Sequence, residues 1–249
     1  PWTHGQLDHD LAALGEAVDE NTVLAVLDVP HSVSGTVTDP QAALARLAPL
    51  MPVGARVLLD LVYADFMPTP DYAELVNGNP AAVALGSLSK AYCLLGARVG
   101  YALTNAETAA RLRASRLPFA MDSLALAAAE AALRDEGQLR RSVEANRQAA
   151  SHLTAYLADH GVRYVPSAAN FLLIDLATWH DPVTAHLAER GARFRDGTRF
   201  GLPGWIQVHL IDTSLVEPVI ESIRRAVSWD NEAPSATTST TNVRGYPFP

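Results

Sequence analysis

The stretch that decides the fold is Ala81-Ala82-Val83-Ala84-Leu85-Gly86-Ser87-Leu88-Ser89-Lys90. Its first five residues are apolar, which is typical of a buried strand, and its last four carry two hydroxyls and an amine. Two other short apolar runs precede it, at 23–27 and 56–60. Segments of helical composition lie between the runs, at 40–50 and 71–76. Because strand alternates with helix, we predict an α/β fold with a mostly parallel sheet that is covered on both faces.

The second half of the chain has a different pattern. Residues 124–157 are rich in Ala, Leu, Arg, Glu and Gln and contain no proline, which predicts long helices, with a break at Gly137. Further strands are predicted at 163–165, 171–174 and 206–211, and further helices at 182–190 and 215–227. We therefore predict four segments: a partial large domain over 1–122, a connecting long helix over 123–150, a small α/β domain over 151–228, and a disordered tail over 229–249.

Composition and charge exclude several classes of protein. The 249 residues carry a formal net charge of -8 and no basic stripe, so we expect no nucleic-acid partner. No apolar run approaches the roughly 20 residues of a membrane span, and a signal-peptide pattern is absent, so we expect no membrane contact and a cytoplasmic protein. The one cysteine, Cys93, rules out an internal disulfide and argues against a cysteine-based metal site, and we predict no metal. Because the chain begins at Pro1 within an alternation of strand and helix, we expect it to be part of a longer protein.

The polar end of the segment 81–90 suits a reactive lysine beside a phosphate. A lysine that forms a Schiff base must give up its proton, and it is best held at the end of a rigid element. Lys90 directly follows a predicted strand and meets that requirement. Ser87 and Ser89 precede it and Arg98 follows eight residues later, so these side chains are suited to hold a phosphate by hydrogen bonds and charge.

A carboxylate and a phenol occupy another place where α/β sheets bind ligands. Asp60 ends the predicted strand 56–60, and the C-terminal ends of parallel strands face the ligand crevice. A carboxylate there can hold a pyridinium nitrogen protonated, so that the ring acts as an electron sink. Tyr63, three residues later, is placed to donate a hydrogen bond to the phenolic oxygen of such a cofactor.

Six polar residues occur in an order that resembles the fold-type I pyridoxal-phosphate enzymes of aminotransferase class I/II. They are Asp60, Tyr63, Ser87, Ser89, Lys90 and Arg98. Within that group the sequence is most similar to histidinol-phosphate aminotransferases. The resemblance runs from about Leu11 to about Val227, and the segments 123–125, 166–171 and 201–203 also have family counterparts. It implies a large domain with a mostly parallel sheet and a smaller α/β C-terminal domain, a pyridoxal 5'-phosphate cofactor, transamination between an amino acid or amine and a keto acid, and a homodimer.

The resemblance also implies a role for each of these side chains. Lys90 is expected to form the Schiff base with the cofactor and to move a proton at the substrate α-carbon. Asp60 is expected to pair with the pyridine nitrogen, and Tyr63 to contact the ring hydroxyl. The three remaining side chains are expected to bind the cofactor phosphate: Ser87, Ser89 and Arg98.

The sequence departs from the family at one loop. Where the family has Asn-Pro-Asn-Asn-Pro-Thr-Gly, this chain has Val-Pro-His-Ser-Val-Ser-Gly at 29–35. Ser32 thereby replaces an asparagine that binds the cofactor's ring oxygen, and the shorter side chain leaves that bond weaker, water-bridged or absent. His31 is either a local acid or base or a loop histidine that faces solvent.

A second departure concerns the substrate. The family's Leu-Arg-Val, whose arginine binds the substrate α-carboxylate, is Ile206-Gln207-Val208 here, and Gln207 cannot form that ion pair. Either another cation, Arg195 or Arg199, binds the carboxylate, or the substrate is not an ordinary α-amino acid. We therefore predict Arg195, Gln207 and Asn170 as substrate-side residues. The alternatives to transamination are a pyridoxal-phosphate-dependent lyase, decarboxylase or oxidase of specialised metabolism, and a degenerate or truncated chain that does not catalyse.

Overall fold

The computed structural model describes residues 7–68 and 71–232, the side chains of 229–232 excepted. In its first half, four strands form one sheet. β1 (Leu24–Asp28), β2 (Arg56–Asp60) and β3 (Ala82–Ser87) are parallel neighbours in that order, and β4 (Gly100–Thr104) is antiparallel to β3. The three predicted strands and the mostly parallel sheet are confirmed, whereas β4 was not predicted.

Short helices connect these strands. They are α1 (Leu11–Glu16), α2 (Pro40–Leu47) and α3 (Tyr72–Asn77), and α4 (Ala106–Ser115) follows β4. α2 begins where the sequence predicts because the Asp39 carboxylate accepts a hydrogen bond from the backbone N–H of Gln41, and Pro40 occupies the first turn.

The apolar core of this first unit lies on one side of its sheet. Leu27 and Leu59 are fully buried there, in one cluster with apolar residues of α1, α2 and α3. On the opposite side Leu24 and Val26 are 47% and 52% exposed. The prediction that both faces are covered is therefore wrong for the described residues, because these three helices pack on the same face.

A pair of helices connects the first unit to the second. α5 (Ser123–Arg134) and α6 (Glu136–Asp159) are separated at Asp135, not at the predicted Gly137. The backbone N–H of Asp135 donates to carbonyls of the last turn of α5, and its side chain accepts from the N–H of Gln138 in α6. A carboxylate cap thus sets the break, and Gly137 lies within the first turn of α6.

The C-terminal part contains a separate antiparallel sheet. Its strands are β5 (Arg163–Val165), β6 (Phe171–Asp175), β7 (Phe194–Asp196) and β8 (Trp205–His209), in the spatial order β5-β6-β8-β7. The core of this second unit lies between one face of the sheet and three helices, namely α6, α7 (His180–Glu189) and α8 (Thr213–Glu232). The strands and helices predicted here are present, and β7 was not predicted.

α8 ends later than the sequence predicts. It continues through Glu232, so the predicted start of a disordered tail at 229 is wrong, and the remainder of that tail, 233–249, lies outside the described residues. Within the described part of the chain, no helix combines the length and the apolar character that crossing a membrane requires.

The two units meet at the loop after β1. The backbone N–H of Ala168 donates to the carbonyl oxygen of Gly35 at 2.9 Å. Gly35 has a φ of +77°, and a Cβ there would lie 1.9 Å from Ser167 Oγ, so only glycine fits this contact. Nearby, the ring of Tyr63 packs edge to face on Phe171 of β6, with 5.2 Å between the ring centroids. These contacts place the C-terminal ends of β1 to β3 against the second sheet.

Candidate active site

Lys90 lies in the turn that follows β3. It is partly buried, and its Nζ lies over the face of Tyr63, 4.9 Å from the ring centroid. No carboxylate among the described residues forms an ion pair with it. Lys90 is also the only lysine in a chain with 19 lysine and arginine residues. The fold therefore presents a single amine over an aromatic ring, without a salt bridge to a described carboxylate.

Asp60 lies at the C-terminal end of β2, beside β3. Its Oδ1 accepts a hydrogen bond from the backbone N–H of Val62 at 3.1 Å. Burial raises the pKa of Asp60 and the Asp28 carboxylate adds to the rise, while the Val62 N–H and the Lys90 ammonium oppose it. Burial thus makes the ionised form of this carboxylate costly, and a cationic partner would stabilise it.

A pocket of about 250 Å³ contains the predicted anion-binding groups. Its lining includes Asp60, Ser87, Ser89 and Arg98. Ser87 Oγ accepts a hydrogen bond from the backbone N–H of Ser89 at 3.1 Å, which fixes the turn that leads to Lys90. The Arg98 guanidinium donates to the Leu95 carbonyl at 2.9 Å. A carboxylate, two hydroxyls and a guanidinium therefore border one cavity.

Two glycines form part of the wall of this pocket. A Cβ on Gly86 would lie 2.2 Å from Cζ of Tyr101, and a Cβ on Gly100 would lie 2.9 Å from the carbonyl oxygen of Gly86. The glycines thus let β3 and β4 approach each other closely at the pocket. Lys90 and Tyr63 do not line the pocket itself. The Lys90 ammonium is close enough to Asp60, which does line it, to oppose the rise in the pKa of that carboxyl.

The side chains of Arg195, Gln207 and His209 share one face of the second sheet. Phe171 pairs with His209, and Arg195 pairs with Gln207, and residues directly opposite each other point to the same face. Gln207 and His209 also share a face, because side chains alternate along a strand. Since Phe171 packs on Tyr63, this is the face that meets the first unit.

Gln207 is almost fully buried, with 1% of its surface exposed. Its Nε2 donates to the carbonyl oxygens of Ser32 and Val33, at 3.1 and 2.9 Å. Its Oε1 accepts a hydrogen bond from the Arg195 guanidinium at 3.5 Å. Both ends of the amide are therefore engaged within the chain, and Ser32 contributes its carbonyl to the contact between the units. The predicted contact of Ser32 with a cofactor stays a prediction.

Two further polar groups belong to this region: His209 on β8, and Asn170, which directly precedes β6. Burial lowers the pKa of His209, and the charges of Arg195 and Lys90 lower it further, so the imidazole is neutral near pH 7. Asn170 has a buried Oδ1 without a hydrogen-bond partner among the described residues. His209 was not predicted as a site residue, although its position two residues after Gln207 in an alternating strand is a signal that identifies it.

A cluster of two histidines and an aspartate supports the loop after β1. His9 Nε2 lies 2.9 Å from Asp28 Oδ1, and the backbone N–H of Ser32 donates to Asp28 Oδ2 at 2.5 Å. Although burial opposes it, these hydrogen bonds hold the pKa of Asp28 well below its usual range. For His9, burial acts to lower the pKa, but the hydrogen bonds and the charge of Asp28 outweigh burial and raise it.

His31 belongs to the same cluster. It is 5% exposed and its Nδ1 lies 2.9 Å from Ser34 Oγ, so the expectation of a solvent-facing histidine is wrong. The ligand atoms of His9, Asp28 and His31 lie within 4.8 Å of one another. Hydrogen bonds within the chain already engage all three side chains, which accounts for their proximity.

Known proteins share this sequence pattern. A sequence model described as aminotransferase class I and II matches residues 3–223. The chain is 36% identical over 203 residues to histidinol-phosphate aminotransferase 2 of Methylococcus capsulatus and 31% identical over 218 residues to histidinol-phosphate aminotransferase of Geobacillus thermodenitrificans. These alignments cover 80% and 86% of this chain but 54% and 60% of the relatives.

Solved structures share the fold. Histidinol-phosphate aminotransferase from Sinorhizobium meliloti, in complex with pyridoxal-5'-phosphate, has a TM-score of 0.76 and 26% identity, and the match covers 88% of this chain and 60% of that one. The enzyme from Clostridium acetobutylicum has a TM-score of 0.79 at 18% identity, covers 92% and 70%, and shows the fold alone. The fold-type I class is thereby confirmed. The chain spans little more than half the length of the curated relatives it matches, and it belongs to the aminotransferase class I and II family.

Proposed function

We propose that this chain forms the lysine-bearing part of a pyridoxal-phosphate-dependent aminotransferase that moves amino groups between an amino acid or amine and a keto acid. The observation that carries the proposal is the position of Lys90, the chain's only lysine, over Tyr63 and beside Asp60. The names of the relatives and the cofactor in the Sinorhizobium meliloti structure support it.

The described residues fit the two polar ends of pyridoxal 5'-phosphate. Ser87, Ser89 and Arg98 supply hydroxyl and guanidinium donors for the phosphate, and they border one pocket with Asp60. The half-buried Asp60 carboxylate has no ion pair among the described residues, so a protonated pyridine nitrogen would offset the cost of its partial burial.

Lys90 is the group that moves protons in this proposal. When bound, the cofactor supplies an electron sink for the carbon that carries the substrate amine. Lys90 forms no salt bridge with any described carboxylate. The Tyr63 ring holds the amine in place, and Phe171 in turn fixes the orientation of that ring. The chain thus positions one proton-transfer group at the end of β3.

A covalent mapping experiment tests the proposal. The full-length protein is incubated with pyridoxal 5'-phosphate and reduced with borohydride, and the modified peptide is identified by mass spectrometry. We expect the label on Lys90, and we expect both Lys90→Ala and the charge-preserving Lys90→Arg to lose the visible absorbance of the bound cofactor. A label elsewhere, or undiminished absorbance in both variants, would overturn the assignment. Stoichiometric keto acid would distinguish transamination from lyase or oxidase chemistry.

Assembly and location form a second part of the proposal: a homodimer in the cytoplasm. Large apolar side chains are exposed close together in the sequence, with Leu117 78%, Phe119 100% and Leu124 81% exposed, and exposed apolar patches are typical of interfaces. Cys93 is a free, exposed thiol, which suits a reducing compartment. Light scattering at physiological salt tests the dimer, and a fully active monomer would contradict it.

A further inference from the structure

Two carboxylates end neighbouring strands at one edge of the sheet in the first unit. Asp28 is the last residue of β1, Asp60 is the last residue of β2, and the two residues pair in the parallel register. Partners in a parallel register point to the same face of the sheet, and neighbouring strands are about 4.8 Å apart. Burial raises the pKa of Asp60, and the charge of Asp28 adds to that rise, whereas the Lys90 ammonium opposes it. A second carboxylate therefore acts on the group that is proposed to face the pyridine nitrogen.

His9 supplies the countercharge of Asp28. Its Nε2 lies 2.9 Å from Asp28 Oδ1 and 3.0 Å from the Asp28 carbonyl oxygen. The side chains of His9 and Asp28 are only 10% and 19% exposed, so water screens their interaction less than it screens a surface ion pair. The pair therefore has no net charge while His9 is protonated, and it carries one negative charge once His9 is neutral.

His9 is the member of this cluster that changes charge as the pH rises past 6.5. The carboxylates of Asp28 and Asp8 both favour its protonated form, and together with the hydrogen bonds from Asp28 they outweigh the opposing effect of burial. The ring of His31 packs edge to face on that of His9, with 4.8 Å between the centroids. Burial lowers the pKa of His31, and the charge of His9 lowers it further against the opposing carboxylates, so His31 is neutral near pH 7.

We propose that His9 and Asp28 are positioning residues for the cofactor, because the net charge of their pair sets how firmly the site keeps a proton on a ring bound at Asp60. While His9 is protonated the pair is neutral, and Asp60 is the carboxylate that favours the proton. Once His9 is neutral, the uncompensated Asp28 carboxylate adds a second negative charge beside Asp60 and strengthens the hold. Neither His9 nor Asp28 lines the pocket at Asp60, so both act through their charge. This inference rests on the proposed function.

A pH titration of the full-length holoprotein tests the proposal, because the visible absorbance of the bound cofactor reports on its protonation. Asp28→Asn makes the pair neutral at every pH above the imidazole titration, whereas His9→Gln leaves Asp28 charged without a countercharge. We expect the absorbance midpoint of Asp28→Asn to lie about 0.5 to 1 pH unit below that of His9→Gln, with the wild-type midpoint at one of these values or between them. Coincident midpoints, or the reverse order, would overturn the proposal.

The variants separate charge from structure. Both substitutions weaken the same contact, so a merely structural role would move both midpoints to the same side of the wild-type value. The double variant His9→Gln/Asp28→Asn is expected to match Asp28→Asn, because His9 acts only by compensating Asp28, and a match to His9→Gln would contradict the proposal. His152→Gln is the matched control, since it removes a different histidine–carboxylate pair, with Glu217 in the second unit, and its midpoint is expected to stay at the wild-type value. A shift in the control as large as the difference between the two single variants would refute the role of His9.

The titration of His9 itself supplies a readout that depends on neither turnover nor cofactor absorbance. In the full-length protein labelled with ¹³C-histidine, the NMR signal that His9→Gln removes is expected to titrate above pH 6.5, and to titrate at a lower pH in Asp28→Asn. A His9 signal that titrates at the same pH in the wild type and in Asp28→Asn would contradict the pair. If Lys90 carries no borohydride-reduced cofactor, the proposed function itself fails. If Lys90 carries it and the absorbance midpoints coincide, only this inference fails.

Discussion

Replacing Gln207 by Met tests the contact between the two units. Methionine nearly fills the volume of glutamine, so the change removes hydrogen bonds without opening a large cavity. It deletes the two bonds to the Ser32 and Val33 carbonyls and the weaker contact with Arg195. At about 1 kcal/mol for each of the two bonds, and up to about 1 kcal/mol more for each partly buried carbonyl left without a partner, we expect a loss of about 2 to 4 kcal/mol.

Urea unfolding of the full-length protein, followed by far-UV circular dichroism, measures this loss as a change in the free energy of unfolding. Gln148→Met is the matched control, because Gln148 is exposed on α6 and its Nε2 donates only to Glu144. The control is expected to change stability by no more than about 0.5 kcal/mol. If Gln207→Met lowers the free energy of unfolding by no more than the control does, then the hydrogen bonds of Gln207 do not stabilise the contact between the two units.

Two further predictions concern the loop after β1. Gly35→Ala should destabilise the protein by more than the roughly 1–2 kcal/mol of a left-handed backbone alone, because the added Cβ would lie 1.9 Å from Ser167 Oγ. In Gly161→Ala, with φ +65° and nothing within 4 Å, only the backbone cost applies, and equal losses on urea unfolding would contradict the steric argument. The fold lowers the pKa of Asp28 from 3.8 and raises that of His9 from 6.5. The ion pair therefore stabilises the folded protein fully between pH 3.8 and pH 6.5. Its contribution is lost as the pH rises from 6.5 through the folded pKa of His9, and as the pH falls from 3.8 through the folded pKa of Asp28. Asp28→Asn should reduce the stability difference between pH 6 and pH 9, and an unchanged difference would exclude the pair as its source.

The strands β1, β2 and β3 were predictable from the sequence, whereas the edge strands β4 and β7 were not. β1, β2 and β3 are short apolar runs separated by helix-sized segments, a pattern that depends on the chain alone. β4 and β7 are the last strands on one edge of their sheets, and β7 has only three residues, Phe194–Asp196. Three of the five residues of β4 are exposed, and β7 has only one apolar residue beside Arg195 and Asp196, so both strands leave little trace in hydrophobic periodicity.

The same contrast applies to the site. Ser87, Ser89 and Lys90 follow one strand closely, so their proximity in space could be predicted from their proximity in sequence. The contacts of Gln207 join residues 174 and 175 positions apart and depend on how one sheet meets a loop of another. Family resemblance marked position 207 as unusual, but only the cross-strand register shows that Arg195 stands beside it and that His209 shares its face.

The lysine and the arginines of the chain differ in the chemistry that they can perform. A guanidinium stays protonated at any physiological pH and binds anions in a planar fork, whereas only an amine can become neutral and form a bond to carbon. Of the 19 basic residues a single one is lysine, and a random assignment would put it at position 90 about once in 19 cases. The lysine stands where bond formation is proposed, and an arginine stands where the cofactor phosphate is proposed to bind, at 98. Exchanging the amine for a guanidinium at position 90 therefore removes the chemistry while keeping the charge, which is why Lys90→Arg tests the mechanism more sharply than Lys90→Ala does.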